Sequence, residues 1–335
     1  MTQIESKIIE LLGPRQIHIK SELLDTGHLG ENQVAAKSIC SVVSPGTEVA
    51  AYRGDPPLRP MKVYPRVVGY CNVAEIIACG RGVQDFQSGD RILTNQSHRS
   101  SFVCSESSIL AKVPETADPQ EAATTYLFQL GYNALLKAEF KPGHGLAIIG
   151  LGTLGLATAA VAGCLGEQAR GFTNQVFDSD TLRAFHLSKV FAKSMVVGNK
   201  TAGDGFGLVV STSNGWDDWH LALSLTRKEG IICVLGFPGR VGDLPNFNPL
   251  SSEFFYDRQL KIISCGMTPG VGMDSARAES TLQKNCKFLL DLIIERRLAA
   301  KELISATAAW YDIGKIYERI ASREAGFWSA ALIWN

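Results

Sequence analysis

Hydrophobic and polar positions alternate over short stretches in the first 110 residues, and the period then changes. "QIHIKS", "QVAAKSICSVVS", "RVVGYCNVAEIIACG", "DRILTN" and "SSFVCSES" are β-rich runs punctuated by Gly, Pro and Asp. No regular helical period interrupts them, which predicts an antiparallel, barrel-like domain. From "DPQEAATTYLFQLGYNALLKAEF" Ala, Leu and Gln recur at helical spacing until "KPGHG" stops the helix. Strands and helices alternate beyond it. "GLAIIG", "SMVV", "GLVVST", "GIICVLGF" and "LKIISCG" read as strands, and "TLGLATAAVAGCLG", "DTLRAFHLSKVFA" and "WDDWHLALSLTRK" as helices, the order of a doubly wound parallel sheet. Two amphipathic helices follow: "LQKNCKFLLDLIIERR", with Leu282, Cys286, Leu289 and Ile293 on one face, and "IGKIYERI".

Composition narrows the class of protein. The 335 residues allow one large or two medium domains, and 45% apolar with 20% charged residues excludes disordered and collagen-like chains. Lys plus Arg and Asp plus Glu are 33 each, so no net field points to nucleic acid or to an anionic membrane. The longest apolar runs, such as "FLLDLII", fall far short of the ~20 residues of a membrane span. "MTQIESKIIELL" carries acids and no cleavage pattern, unlike a signal peptide. Eight single cysteines without a CxxC pair read as buried thiols of a reducing cytosol, and they lack the paired thiolates of a structural zinc site. The expectation is a cytoplasmic homodimer acting on a small molecule, with neither nucleic acid nor membrane as partner.

The densest signal is "GLAIIGLGTLGLATAAVAGC". Gly150, Gly152 and Gly155 complete GxGxxG between a strand and a helix, the layout that holds a dinucleotide pyrophosphate. Gly150 serves the tight turn, Gly152 the approach of the phosphates, and Gly155 the seating of the helix on the sheet. Amides of Thr153 and Leu154 at the helix N-terminus would face the anion. Thr212, Gly236 and Phe237, just past two later strands, are further cofactor-binding candidates. An acid is expected roughly 20 residues on, bonding the adenosine ribose. Asn174 stands there, and the first acid is Asp178. A strand ending at Asn174 leaves Thr173, Asn174 and Arg183 to receive a 2′-phosphate, whereas one ending at Asp178 implies NAD. The balance tips towards NADP(H) over NAD(H).

"SPGTEVAAYRG", "VVGYCNVAEIIACG", "SGDRIL", "KPGHGLAIIGLGTLG" and "KEGIICVLGF" together resemble the medium-chain dehydrogenase/reductase superfamily, the alcohol dehydrogenase-like proteins, over almost the whole chain. The resemblance implies an α/β protein in two parts. A GroES-like, β-rich catalytic domain would span 1–120 and be completed by 268–335, and a Rossmann domain would span 121–267, with the active site in the cleft against the nicotinamide. Zinc-dependent members place a Cys before Gly-Thr-Asp and a His within a later Gly-His-Glu. Here Pro45 precedes Gly46, Thr47 and Glu48, and Gly69 is followed by Tyr70 and Cys71. The four-cysteine structural lobe is also missing after "GDRIL". No metal site is therefore expected. The Ser-Pro-Gly-Thr-Glu run followed by Gly-Tyr resembles a zinc-free subgroup of bacteriochlorophyllide dehydrogenase type.

Without a metal, hydrogen-bond donors must stabilise a developing oxyanion and one must exchange a proton. Tyr70, at the lost histidine position, Thr47, where the family keeps a proton-relay hydroxyl, and His98, before a strand that borders the substrate cleft, are the catalytic candidates. Ser44, Glu48 and Tyr52 are further candidates for lining the site. The leading reading is hydride transfer between NAD(P)H and an alcohol or carbonyl carbon of a bulky or hydrophobic molecule. Reduction of a C=C bond in a quinone or enone is the alternative, and a non-catalytic nicotinamide-binding sensor or structural protein is a third reading from another class.

Overall fold

The computed structural model describes residues 3–56, 63–195, 205–240, 244–266 and 281–334. The chain divides into two compact units. One takes in the chain up to Leu127, Gln283–Arg296 and Ala300 onward, and the other takes in Phe128–Leu282 with Arg297–Ala299. Residues 268–280, expected to begin the return of the chain, lie outside the described residues.

The first unit is the β-rich one. β1 (Gln3–Gly13) and β2 (Gln16–Asp25) form a hairpin, and β4 (Arg66–Val67) joins the free edge of β1. A seven-stranded sheet contains β3 (Gln33–Val42), β5 (Asn72–Cys79), β6 (Arg91–Thr94), β7 (Ser101–Ser105), β8 (Ala111–Val113), β15 (Ala306–Ala309) and β16 (Ala330–Ile333). Its strands pair antiparallel, except that β15 and β16 run parallel. The hydrophobic alternation of β3 buries Val34, Ala36 and Cys40, as expected of strands with one or both faces covered.

One helix here departs from the sequence reading. "SPGTEVAAYRG" folds as α1 (Pro45–Arg53), with Pro45 in the first turn and Gly54 as its left-handed C-cap. Proline there presets the helical φ and sacrifices an amide that has no intrahelical acceptor anyway. The expected helix around "DPQEAATTYLFQLGYNALLKAEF" is two helices, α2 (Pro119–Ala123), capped by Asp118, and α3 (Thr125–Lys137). Near the end of the chain, α8 (Leu282–Ile294) buries Cys286, Leu289 and Ile293, and α9 (Ile313–Ala321) buries Ile313, Ile316 and Tyr317. The apolar stripe of α9 packs with Ile9, Val49, Tyr52, Val68 and Trp334 in one core.

The second unit is a six-stranded parallel sheet. Its strands are β9 (Leu146–Ile149), β10 (Ala169–Phe172), β11 (Leu187–Phe191), β12 (Phe206–Ser211), β13 (Thr226–Val234) and β14 (Lys261–Ser264), in the order β11-β10-β9-β12-β13-β14. That is the classic dinucleotide-fold order, with its reversal between β9 and β12. The helices are α4 (Thr153–Cys164), α5 (Ser179–Ala184), α6 (Trp216–Leu225) and the short α7 (Ser252–Phe255). The small side chains of α4 are buried from Gly155 to Ala162.

The reading of "DTLRAFHLSKVFA" as one helix is corrected here. α5 ends at Ala184, His186 turns the chain with φ of 52°, and Leu187–Phe191 forms β11. Pairing with β10 and the stacking of Phe191 on Phe172 at 5.3 Å outweigh the helical spacing of the leucines. Of the expected strand "SMVV", Ser194 and Met195 lie in a 3-10 turn, and the two valines lie outside the described residues.

Candidate active site

The first unit builds a polar site at the head of α1. Ser44 is the N-cap, and its carbonyl accepts from the amides of Thr47 and Glu48 at 3.3 and 3.1 Å. The Glu48 side chain folds back, so that Oε1 accepts from the Ser44 amide at 2.7 Å. A carboxylate in the first turn is also favoured by the helix dipole. Its other oxygen, Oε2, accepts from His98 Nε2 at 2.8 Å and from the Tyr317 hydroxyl at 2.7 Å. Glu48 is 1% exposed and His98 is fully enclosed. Three donors thus meet one buried carboxylate, which offsets the cost of taking it from water.

His98 is fixed on all sides. Its Nδ1 lies 2.7 Å from Ser41 Oγ, which in turn accepts from Trp334 Nε1 at 2.8 Å. Its amide donates to the Val68 carbonyl and its carbonyl accepts from the Ile9 amide. Gly69 completes the enclosure. Its φ of 95° belongs to the left-handed region, and a Cβ there would stand 2.6 Å from His98 N and 2.7 Å from the ring. Glycine is therefore required at Gly69 both by conformation and by space.

In front of this network lies a group of hydroxyls. Tyr70 hydrogen-bonds the side chains of Ser44 and Thr47, and its ring packs on that of Tyr126 with centroids 5.2 Å apart. Burial pushes the Tyr70 hydroxyl well above the usual phenol range, and the Cys71 thiol and Glu48 carboxylate nearby add to the shift. The Cys71 thiol and the Tyr317 hydroxyl are raised in the same way, burial first and Glu48 second. Both phenols are neutral donors at physiological pH. Ser44 links the two layers, its amide on Glu48 and its hydroxyl on Tyr70.

A cavity of about 450 Å³ opens beside these residues, lined by Thr47, Glu48, Arg66, Gly69 and Tyr70 together with Pro65, Val67 and Val68. Thr47 and Tyr70 face it, whereas His98 reaches it only through Glu48. Tyr52 lies elsewhere, with its hydroxyl donating to Glu318 at 2.6 Å and its pKa pushed up to about 12 by burial and by that bond. Among the described residues no cluster of three or more His, Cys, Asp or Glu side chains is arranged to hold a metal ion. Ser41, Arg66, Tyr317 and Trp334 were missed by sequence reasoning. Arg66 was in plain view between Pro65 and the Gly-Tyr pair, but the others lie on strands and helices far apart in the chain.

The second unit carries the glycine turn at the C-terminal edge of its sheet. Gly150 has φ of 86°, and its carbonyl accepts from Thr212 Oγ1 at 2.7 Å, which ties the turn after β9 to the end of β12. A Cβ on Gly155 would stand 2.0 Å from the Gly150 carbonyl, whereas one on Gly152 would meet nothing within 4 Å. The turn therefore fits a pyrophosphate, with tight packing behind it and free space in front of the first amides of α4. Thr153 is buried, and Leu154 stands partly exposed beside it. Gly236 packs on the backbone of Thr212 and Ser213, and the amide of the partly exposed Phe237 donates to Asn214 Oδ1 at 3.0 Å.

β10 ends at Phe172, so Thr173 and Asn174 are the first residues past it. The Thr173 amide donates to the Phe191 carbonyl at 3.0 Å, and Asn174 Oδ1 accepts from the Lys193 amide at 3.2 Å. Asp178 caps α5, accepting from the Thr181 amide at 2.7 Å, and is not at the strand end. Arg183 pairs with Asp180 on the exposed face of α5.

No family model matches the chain. L-galactonate-5-dehydrogenase of Escherichia coli is 27% identical over 188 residues, 48% of this chain and 52% of that protein, so the chain spans about half of that relative's length. Sorbitol dehydrogenase of Bacillus subtilis is 23% identical over 273 residues, 70% of this chain and 72% of that protein. Among solved structures, L-idonate 5-dehydrogenase from Escherichia coli superposes with a TM-score of 0.78 at 12% identity, covering 99% of both chains. The fold is that of the alcohol dehydrogenases. A second neighbour, a putative zinc-binding dehydrogenase from Sinorhizobium meliloti bound to NADP, gives a TM-score of 0.76 at 17% identity, over 98% of this chain and 99% of that one. The α/β class, the β-rich part and the Rossmann part expected from the sequence are thus all present in an alcohol dehydrogenase-type fold.

Proposed function

We propose that the protein is a zinc-independent oxidoreductase that moves a hydride between NADP(H) and the alcohol or carbonyl carbon of a small molecule. The observation that carries this reading is Tyr70, which stands where the family resemblance puts a zinc-ligating histidine and lines the cavity with Thr47, its hydroxyl bonded to the buried Ser44 behind it. Pro45 offers no donor, Tyr70 is held as a neutral phenol, and Glu48 is already bonded to three donors, a set that does not suit zinc. The nicotinamide, when bound, supplies or accepts the hydride.

The protein's own residues manage charge and proton. During carbonyl reduction the oxygen becomes an alkoxide-like centre, and a neutral phenol donates to it without first having to be protonated. Tyr70 is the proposed donor. Ser44 and Thr47 orient its hydroxyl and stabilise the phenolate that forms. Glu48, held by His98 and Tyr317, positions Ser44 and the first turn of α1, so His98 acts as a positioning residue. Asn174 in place of an acid at the end of β10, with Thr173 and Arg183 near it in sequence, supports NADP(H) over NAD(H).

The test is turnover by purified, metal-depleted protein with NADP⁺ and a panel of secondary alcohols and polyols, and with NADPH and matched ketones and enones. Oxidation of alcohols and reduction of ketones support the proposal. Turnover of enones alone would move it to C=C reduction, and cofactor binding with no turnover across the panel would overturn it.

A further inference from the structure

We infer that Arg66 is an anion-binding residue of the cavity, and that the substrate is a hydroxy or oxo compound carrying a carboxylate or phosphate. This rests on the cavity being the substrate site proposed above. Arg66 starts β4, two residues before Val68, and is the one cation on the cavity wall among the described residues. Its guanidinium has no ion-pair partner among the described residues. Between Glu48 and Glu75 the sequence carries a single acid, Asp55, and Asp55 is paired with Arg53.

The carboxylate that also lines the cavity is no counter-ion for it. Glu48 already receives the Ser44 amide, the His98 ring and the Tyr317 hydroxyl. Its oxygens are satisfied inside the protein, whereas the Arg66 guanidinium is paired with no carboxylate among the described residues. Half-buried and flanked by Pro65, Val67 and Val68, the guanidinium sits where water competes less than on open surface. Its planar fork of donors matches the paired oxygens of a carboxylate or phosphate. Thr47 and Tyr70 share the same cavity, so an oxyanion on Arg66 would fix one end of a small substrate and leave a hydroxyl or carbonyl to the phenol. Such anchoring orients the reacting carbon as well as supplying affinity.

The test is direct binding to the full-length protein by calorimetric titration at constant ionic strength. The probes are a polyol, the aldonate of the same carbon skeleton and the polyol phosphate, each titrated into wild type, Arg66→Gln and Arg66→Lys. Circular dichroism melts confirm that each variant is folded. Wild type should bind at least one anionic probe ~10–100-fold more tightly than the polyol, the range of a charge-assisted pair. Arg66→Gln should lose that preference, and Arg66→Lys should recover only part of it. A preference for the aldonate alone assigns a carboxylate, and one for the phosphate alone assigns a phosphate. Phosphate binding at the glycine turn would survive in Arg66→Gln and is separated in that way. Equal binding of polyol and anions by wild type, or an anion preference kept in Arg66→Gln, would overturn the inference. Arg66-dependent anion binding without any nicotinamide turnover would leave it standing while overturning the hydride-transfer reading.

Discussion

Replacing Glu48 should separate the positioning network from the chemistry in front of it. Glu48→Ala leaves three enclosed donors without an acceptor: the Ser44 amide, His98 Nε2 and the Tyr317 hydroxyl. Each unsatisfied buried donor costs ~1–3 kcal/mol. The full sum is not expected, because removing the carboxylate also removes its own desolvation cost and members of one network do not add. The expected loss for Glu48→Ala is therefore about 3–5 kcal/mol, the lower part of the range that three unsatisfied buried donors would give. Glu48→Gln keeps the shape and one oxygen. If that oxygen faces His98 and Tyr317, the amide nitrogen points at the Ser44 amide, so a single contact is lost, for ~1–3 kcal/mol.

Because the chain divides into two units, a global unfolding curve is a poor readout. Native-state hydrogen exchange, resolved to peptides covering β1 and residues 97–99, reads the network locally. The Ile9 and His98 amides there are bonded to the His98 and Val68 carbonyls. A loss in Glu48→Ala below ~1 kcal/mol, smaller than one unsatisfied buried donor should cost, would refute the argument, as would equal losses in the Ala and Gln variants.

Three further outcomes follow from the two sites. Gly152→Val should abolish NADPH binding while the protein still folds, since its side chain enters free space that the pyrophosphate would fill; unchanged affinity by titration would mean that the turn holds no cofactor. Arg183→Ala should weaken NADPH by ~1–3 kcal/mol and leave NADH nearly unaffected, and equal losses for both would contradict a role at the 2′-phosphate. Tyr70→Phe should lower turnover by roughly 10²–10⁴ with cofactor affinity kept. Because the folded Tyr70 pKa lies above its unfolded value near 10, the stabilisation from its neutral form is complete below pH 10 and is lost as pH rises beyond that. In wild type, carbonyl reduction should therefore show no alkaline limb from this phenol below about pH 10; wild-type rates in Tyr70→Phe would transfer the proton to Thr47.

What the sequence made legible was local. The strand, glycine turn and helix from Gly145 to Cys164 form one continuous pattern, and the apolar stripes of α8 and α9 announce their buried faces. α1 escaped because its small residues give it almost no amphipathic signal, so that Pro45 and Gly46 read as a turn. β11 escaped because its leucine, valine and phenylalanine also fit a helical spacing, and only pairing with β10 decides between the two. Tyr70 and Thr47 were candidates through the family resemblance, which sets one at a lost histidine position and the other at a relay hydroxyl position. Of the groups behind them, Glu48 and His98 were named one by one as candidates, but the network that joins them to Ser41, Tyr317 and Trp334 was not. Ser41, Glu48, His98, Tyr317 and Trp334 meet from a strand, two helices, a loop and the residue after β16, and no spacing in the chain encodes that meeting. Tyr317 looked like one more core aromatic of an amphipathic helix, and only its hydroxyl on Glu48 gives it a place in the site.

The central claim is hydride transfer without zinc. It is tested most directly by incubating metal-depleted protein, its zinc content measured on the same sample, with NADPH deuterated at the transferring carbon and the ketone panel. Carbon-bound deuterium is then sought in the product by mass spectrometry. The account predicts one deuterium on the former carbonyl carbon at a rate independent of residual zinc. Absence of label in every product, or a rate that rises in proportion to added zinc up to one ion per chain, would contradict it.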